Sequence, residues 1–478
     1  MVNLIVDVSR YLMILLIAVY TWLNFRYFSF RDEGKQKKIC GRQNRCMFLI
    51  HFLAYGILWL KTEDERLIAF YAAQVIFFLC YIYVSRLFYR HVSRLLVGNM
   101  CMLLSVGFII LTRLSFDRAL KQFIIVLAAA VITWIIPFII DRVWQLSKIP
   151  WVYGVLGLIL LGVVLITGIN SFGAQLSIGI GGFTFQPSEF VKISFVFFVA
   201  TMFYRSTKFV TVCITTLVAA LHVLILVASR DLGSALIFFV TYVLMLFVAT
   251  GKWAYLLGGA GAGAAASVLA YQLFDHVRAR VLAWRNPWSD IENKGYQITQ
   301  SLFAIGTGGW FGMGLCQGMP GKIPVVEKDF VFSAVSEELG GIFALCVLLI
   351  CFGCFLQFMM IASRMKAVFY KLIAFGLGTV YIVQVFLTVG GVTKFIPSTG
   401  VTLPLMSYGG SSVFSTFILF GVMQGLYILK RNEEEEEKYE KGCPEPQGKP
   451  PYSDDHLWNG GAFCRTGPVF CFFSSDKK

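Results

Sequence analysis

The sequence predicts an all-α polytopic membrane protein of about 13 transmembrane helices. Three observations carry that expectation. First, 57% of the 478 residues are hydrophobic and only 14% are charged, against about 25% charged in an average soluble domain. Second, the apolar residues fall in runs near the ~20 residues that a helix needs to cross a bilayer. Third, the basic residues collect in short segments between those runs, the pattern that sets orientation in a membrane. On a soluble chain a net charge of +14 would suggest nucleic acid. Placed between spans, it reads as topology control and attraction to anionic headgroups, and no nucleic-acid partner is expected.

In chain order the spans fall at about 11–29, 47–61, 67–85, 95–112, 122–141, 151–169, 190–204, 208–228, 232–250, 254–273, 333–361, 369–391 and 411–429. The first run lacks a charged leading region and a small-residue cleavage site, so it is expected to stay as an anchor. The 31–45 segment holds six basic and two acidic residues. That places it in the cytoplasm and the N-terminus outside. Counting onward, 86–94, 141–148, 204–208, 251–252, 363–371 and the tail also fall inside. The outer face receives 170–189, the turn at Arg230 and Asp231, 276–332 and 392–410. The longest, 276–332, has aromatics and paired glycines, and reads as an ordered, functional loop.

Twelve cysteines show no paired framework. CFGC at Cys351–Cys354 has redox-motif spacing, but it lies inside a long apolar run and reads as small packing residues. The chain divides into 1–94, with extra helices and a basic loop, a core at 95–430, and a tail at 431–478. EEEEEKYEKG opens that tail, which is expected to be cytoplasmic and disordered. Its aromatic end, GPVFCFFSSDKK, has no physical explanation in the sequence.

Four constellations carry chemistry. In FQPSEFVK, Pro187 suits a helix start and Ser188 can cap it. Glu189 and Lys192 then share a face at i,i+3, as a helix-end ion pair or as a charged cavity wall. In SRDLGSALIFF, Arg230 and Asp231 precede an apolar helix, and Asp231 suits its positive N-terminal end. In 284–315, three Trp, Tyr296, Gln297 and Gln300 accompany several glycines. They are either interfacial aromatics on a loop or the flat faces and amides of a sugar-binding groove. In VTKFIPSTGVTLPLMSYGGSS, Lys394 is followed by small hydroxyl residues including Ser407. Gly409 and Gly410 can offer N–H groups to an anion at the next helix start; a plain re-entrant turn is the alternative. Together these residues suggest one extracytoplasmic site for a large anionic, sugar-like or lipid-linked substrate.

FQPSEFVK, RDLGSAL, NPW…GYQITQSLFAIGTGGWFGMGL, KDFVFSAVSEELG and GVTKFIPSTGVTLPLMSYGGSS resemble, in order and wording, the SEDS family (shape, elongation, division, sporulation), which includes RodA, FtsW and SpoVE. The match runs from about Leu95 to Lys430. The resemblance implies a ten-helix core, with the three helices before Leu95 extra to it. It implies a multi-pass protein of the cell membrane that polymerises lipid II, the undecaprenyl-diphosphate-linked disaccharide-peptide, on the outer face. It also implies a class B penicillin-binding protein as partner. The family's essential loop aspartate falls on Asp329, and the Glu and Lys of its QPSE…K motif fall on Glu189 and Lys192. The stretch before the aspartate departs from the family's Pro-Glu-Ala-His-Thr. Here it reads Pro324-Val325-Val326-Glu327-Lys328, so no role carries over to the missing Glu and His.

Polymerisation requires a sugar hydroxyl to attack an anomeric carbon with inversion, losing its proton as it does so. Asp329 is the expected general base. Lys192, Lys394 and Arg230 are the candidate cations for the leaving diphosphate, with a divalent metal (Mg or Mn) as a further candidate. Glu337 and Glu338 lie about two helical turns into the next expected span. A structural role is expected for them, with a substrate contact left open. A lipid II flippase and a non-catalytic scaffold for the transpeptidase are the competing classes. Division, elongation and sporulation roles are not separated by the sequence.

Overall fold

The computed structural model describes residues 2–30, 32–142, 144–171, 174–180, 183–291 and 295–442. The described residues through Glu433 form one compact unit. The helices are α1 (Val2–Phe28), α2 (Glu33–Thr62), α3 (Arg66–Phe88), α4 (Arg94–Leu114), α5 (Phe116–Thr133), α6 (Ile136–Arg142), α7 (Pro150–Thr167), α8 (Pro187–Arg205) and α9 (Phe209–Ala228). They continue with α10 (Leu232–Thr250), α11 (Trp253–Leu273), α12 (Asp275–Arg285), α13 (Tyr296–Gly308), α14 (Val331–Leu339), α15 (Gly341–Arg364), α16 (Val368–Val392) and α17 (Gly410–Gly442). Twelve of the described helical segments are long and apolar enough to cross a membrane, and the fold is that of an all-α multi-pass membrane protein. A small antiparallel sheet between α7 and α8 was not expected. Its strands are β1 (Ile169–Ser171), β2 (Ala174–Ile180) and β3 (Phe183–Phe185), in that order.

The core is built around α4, whose whole apolar window is buried. Helices α8, α16 and α17 complete it, each with most of its window covered, while α11 buries no residue. The outward Leu, Ile, Val and Phe side chains of the peripheral helices face where lipid would lie, so their exposure carries no hydrophobic cost there.

Most expected spans fall within a few residues of the helices; α1 starts nine residues ahead of the span expected at 11–29, and five further differences follow. The expected loop 31–45 is largely helical: Asp32 caps α2 by accepting from Gly34 N at 3.4 Å and Lys35 N at 3.0 Å. The span expected at 47–61 is the second half of this 30-residue helix, which is not among the twelve apolar segments because its first half is polar. The span 122–141 bends between α5 and α6, where Pro137 lacks the N–H that would continue the ladder. The tail does not begin at 431 as disordered chain; α17 runs to Gly442 because its Glu and Lys are strong helix formers. Residues 443–478, including the aromatic end, lie outside the described residues.

The fifth difference bears on the site. The single span expected at 333–361 is two helices, α14 and α15, broken at Gly340 with φ +95°. A Cβ there would lie 2.5 Å from Gly312 N and 2.6 Å from Phe311 C and Trp310 O. Segment 309–314 is therefore laid directly on the break. Met313 N donates to Glu337 O and Gly314 N to Glu338 O, each at 2.9 Å; Gly341 N donates to Gly309 O at 2.9 Å and Ile342 N to Trp310 O at 3.2 Å. Glu337 and Glu338 thus sit on a separate short helix rather than two turns into a span.

Gly340→Ala combines left-handed strain with a backbone collision, so it should cost more than about 2 kcal/mol. Gly306→Ala, with open space at its Cβ inside α13, should be neutral or stabilise by up to about 1 kcal/mol. Thermal unfolding of the two variants in detergent checks the contrast.

Candidate active site

A cavity of about 200 Å³ opens where α12, the start of α13, the residues before α14 and the segment after α16 converge. Ala279, Arg280, Ala283 and Trp284 form one face of α12 and line one side. Asp329 and Phe330 line another side, with Gln297 and Ser398 between them. The walls are tied together by main-chain contacts. Trp284 Nε1 donates to Lys394 O at 3.1 Å, Arg280 Nη1 to Ser398 O at 3.2 Å and Gln297 Nε2 to Pro324 O at 2.9 Å. Ser301 Oγ, on α13, lies 2.7 Å from Ser333 Oγ on α14 and donates to Val392 O at the end of α16.

Asp329 and Arg280 face one another across Gly400. A Cβ at Gly400 would lie 3.5 Å from Asp329 Oδ2 and 3.6 Å from Arg280 Nη2. Gly400 has φ +75°, a conformation that costs an L side chain roughly 1 kcal/mol or more, and its missing side chain leaves the space between the two charges open. Burial raises the pKa of Asp329 above the ordinary carboxylate value. Arg280 and then Lys328 oppose the rise, and Glu327 adds to it. The net direction is upward, which moves a carboxylate toward useful basicity. Glu327 is held by Arg118 at 2.5 Å, and its main-chain oxygen accepts from Tyr408 N at 2.7 Å. Arg230 and Arg280 both act on His276 of α12 and, after burial, lower its pKa. Arg280 thus sits between two carboxylates that act on it, Asp329 and then Asp231.

The expected site residues separate into two groups. Asp329 and Gln297 line the cavity, and Lys394 is joined to it through the Trp284 indole. Gln300 is on α13, one turn beyond Tyr296 and outside the lining. Glu189 and Lys192 belong elsewhere, in a buried network joining α8, α16 and α17. Lys192 Nζ is 2.7 Å from Glu189 Oε2 and donates to Gln384 Oε1 at 2.6 Å; Ser415 Oγ donates to Glu189 Oε2 at 3.0 Å. Asp231 caps α10 through Ser234 N at 3.1 Å. Ser188 does not cap α8; its hydroxyl donates to Asp231 Oδ2 at 3.1 Å, and Gln186 takes the cap position.

The segment after α16 is clamped rather than open. Gln384 Nε2 donates to Thr402 O at 3.0 Å, Gln122 Nε2 to Ser407 O at 3.1 Å, and Leu403 N to Ser407 Oγ at 2.9 Å. Gly409 N, one of the two groups that could have been offered to an anion, donates to Gln122 Oε1 at 3.3 Å. Glu337 accepts from Met319 N at 2.8 Å, and Glu338 is paired with Arg113 Nε at 3.0 Å. Glu337 holds the loop before α14 directly, and Glu338 ties α14 to Arg113 of α4, which donates to Gly318 O of that loop at 3.2 Å.

Arg280 and Gly400 are the residues that sequence reasoning missed. The available signal was the i,i+4 spacing of Arg280 and Trp284, which puts both on one helical face. Among the described residues no group of three or more His, Cys, Asp or Glu is placed to hold a metal. At the cavity Asp329 offers one carboxylate, with a guanidinium beside it. That donor set does not make a protein cage for Mg or Mn.

Comparison with known proteins gives this geometry its context. The family model described as "Cell cycle protein", FtsW/RodA/SpoVE, matches residues 85–432. Peptidoglycan glycosyltransferase RodA of Mycobacterium tuberculosis is 34% identical over 298 residues, covering 58% of this chain and 64% of that protein. The chain thus spans under two thirds of the RodA relative's length. Stage V sporulation protein E of Bacillus subtilis is 34% identical over 278 residues, 55% of this chain and 75% of that one. Probable peptidoglycan glycosyltransferase FtsW of Aliivibrio salmonicida is 33% identical over 334 residues, 67% and 82% respectively. Among solved structures, a chain from work on polymerization and crosslinking by a peptidoglycan synthase complex aligns with TM-score 0.60 and 24% identity, covering 71% of this chain and 98% of that one. Rod shape determining protein RodA of Thermus thermophilus aligns with TM-score 0.54 and 23% identity, covering 70% and 96%. These two likenesses concern the fold.

Removing one partner of the buried Glu189–Lys192 pair leaves the other charge uncompensated. Lys192→Met should cost about 3–5 kcal/mol, and Glu189→Gln/Lys192→Met distinctly less than Lys192→Met alone. Detergent unfolding midpoints of the single and double variants test this; equal losses would put the residues outside a mutual pair.

Proposed function

The chain belongs to the FtsW/RodA/SpoVE family of cell cycle proteins, and from that premise we propose that it polymerises lipid II into glycan strands. The carrying observation is the half-buried Asp329 facing Arg280 across the open space at Gly400. The relatives' printed activity supports the same reading.

In this mechanism the acceptor's sugar hydroxyl attacks the anomeric carbon of a diphosphate-linked sugar from the face opposite the diphosphate. A new C–O bond forms as the bond to the diphosphate oxygen breaks, which inverts the centre. Asp329 takes the hydroxyl proton, a contribution of typically 10²–10⁴-fold. Arg280, Arg230 and Lys394 supply positive charge for the departing lipid diphosphate. The guanidinium of Arg280 is suited to this task by its planar, bidentate donors. Trp284 offers a flat apolar face and Gln297 an amide to the sugars. Lys192 takes no direct part, because it is engaged with Glu189 and Gln384. No step is routed through a metal.

This reading puts the cavity end of the bundle on the outer face, in keeping with the orientation that the basic 31–45 segment favours, N-terminus outside. The work is completed by a class B penicillin-binding protein that cross-links the strands. The solved complex concerned with polymerization and crosslinking supports that pairing.

Purified protein with lipid II and its transpeptidase partner should make glycan polymer, seen on a gel. Asp329→Asn should reduce the rate at least about 10²-fold with the protein still folded. Polymer at the normal rate from Asp329→Asn would remove the base assignment. Lipid II transport across liposomes without polymer would replace the enzyme with a flippase. Because Lys328 lowers the Asp329 pKa, Lys328→Gln should raise it, moving the acid limb of the rate profile to higher pH. Gly400→Ala fills the space between base and guanidinium, and should lower the rate at least about tenfold with unchanged membrane insertion.

A further inference from the structure

Helices α1 and α2, and all but the last turn of α3, precede the residues matched by the family. They are nevertheless not a loosely attached anchor. Helix α1 packs along α15 as well as α2. Tyr20 Oη donates to Asn99 Oδ1 at 3.0 Å, and Asn99 Nδ2 donates to Asn24 Oδ1 at 2.9 Å, joining α1 to the central α4. Asn24 lies so close to Gly353 of α15 that a Cβ there would collide with its amide.

The first turns of α1 reach the loop that carries the Gly340 break. Arg10 Nη1 donates to Gly312 O at 3.1 Å. The guanidinium is itself fixed, with Asp7 Oδ1 at 3.7 Å and Tyr11 Oη accepting from Nη2 at 3.1 Å. The Tyr11 ring lies 5.6 Å from the Phe311 ring. Val6 fills the space beside Gly314, where a Cβ would meet it at 2.8 Å. Segment 309–314 is therefore held on two sides: α1 supports one, and Glu337, Glu338 and Gly341 grip the other through main-chain hydrogen bonds. A shift of this segment must move α14, and Asp329 stands two residues before α14 begins.

We infer that Arg10 is a positioning residue: the N-terminal extension sets the placement of Asp329 through segment 309–314 and α14. The effect on turnover rests on the reading of Asp329 given above; the mechanical linkage does not. The charge-assisted bond from Arg10 ends a short ladder of backbone hydrogen bonds, so removing it frees the ladder's outer edge without emptying the core.

The test compares full-length Arg10→Ala, Arg10→Lys and Tyr11→Ala with the unaltered chain, using Arg26→Ala as a control. Arg26 is also on α1 but stacks on Trp22 and Phe30. Hydrogen–deuterium exchange in detergent reads the linkage directly. Uptake over 309–319 and 331–340 should rise at least about threefold in rate for Arg10→Ala and Tyr11→Ala, and stay unchanged for Arg26→Ala. Lipid II polymerisation reads the consequence. Arg10→Ala should lower kcat at least about fivefold with KM within twofold, and Arg10→Lys, which keeps a donor, should recover much of it. Unchanged exchange over 309–340 overturns the linkage, whether or not the protein polymerises. Faster exchange with unchanged kcat overturns the positioning role. Faster exchange in a chain whose unaltered form makes no polymer upholds the linkage and rejects the function proposed for Asp329.

Discussion

The backbone-to-backbone contact between 309–314 and 337–342 is the constraint on which the site depends. It exists because Gly340 takes a left-handed conformation and has no side chain where Trp310, Phe311 and Gly312 pass. It splits a continuous apolar stretch into α14 and α15. The short α14 then leans on α13 through Ser333, and the residues before it turn into the cavity. Without the break, Asp329 would stand on the end of a straight transmembrane helix rather than opposite Arg280.

Two separate polar systems share the molecule. One is closed: Glu189, Lys192, Gln384 and Ser415 satisfy one another between helices, where an unpaired charge would be costly in a membrane. The other is open: Asp329 and Arg280 face a cavity with no side chain between them at Gly400. The closed system stabilises the bundle beneath the segment after α16, since Gln384 touches both Lys192 and Thr402. The open one is where the proposed chemistry is assigned. The family motifs mark both with equal emphasis, and only the geometry separates them.

Much of this was legible in the sequence. Long apolar runs between basic segments gave nearly every span, because bilayer thickness fixes helix length. The motif set gave the family, and Asp329 emerged at the cavity. The misses have physical causes. Gly340 lies within an apolar run, and periodicity cannot report a break imposed by a distant loop. Arg280 lies 49 residues before Asp329 in sequence and meets it only through tertiary packing. For Glu189 and Lys192 the spacing left a helix-end ion pair and a charged cavity wall both open, since it reports a shared face and not that Gln384 completes the coordination. The helical start of the tail was missed because charge was read as disorder, although Glu and Lys also favour helix.

The most direct measurement is a structure of the Asp329→Asn protein with lipid II bound. Density for the diphosphate beside Arg280, with the sugar against Trp284 and its reacting carbon near residue 329, is the expected result. A diphosphate bound instead against Lys192, with the cavity between α12 and Gly400 empty, would contradict the site.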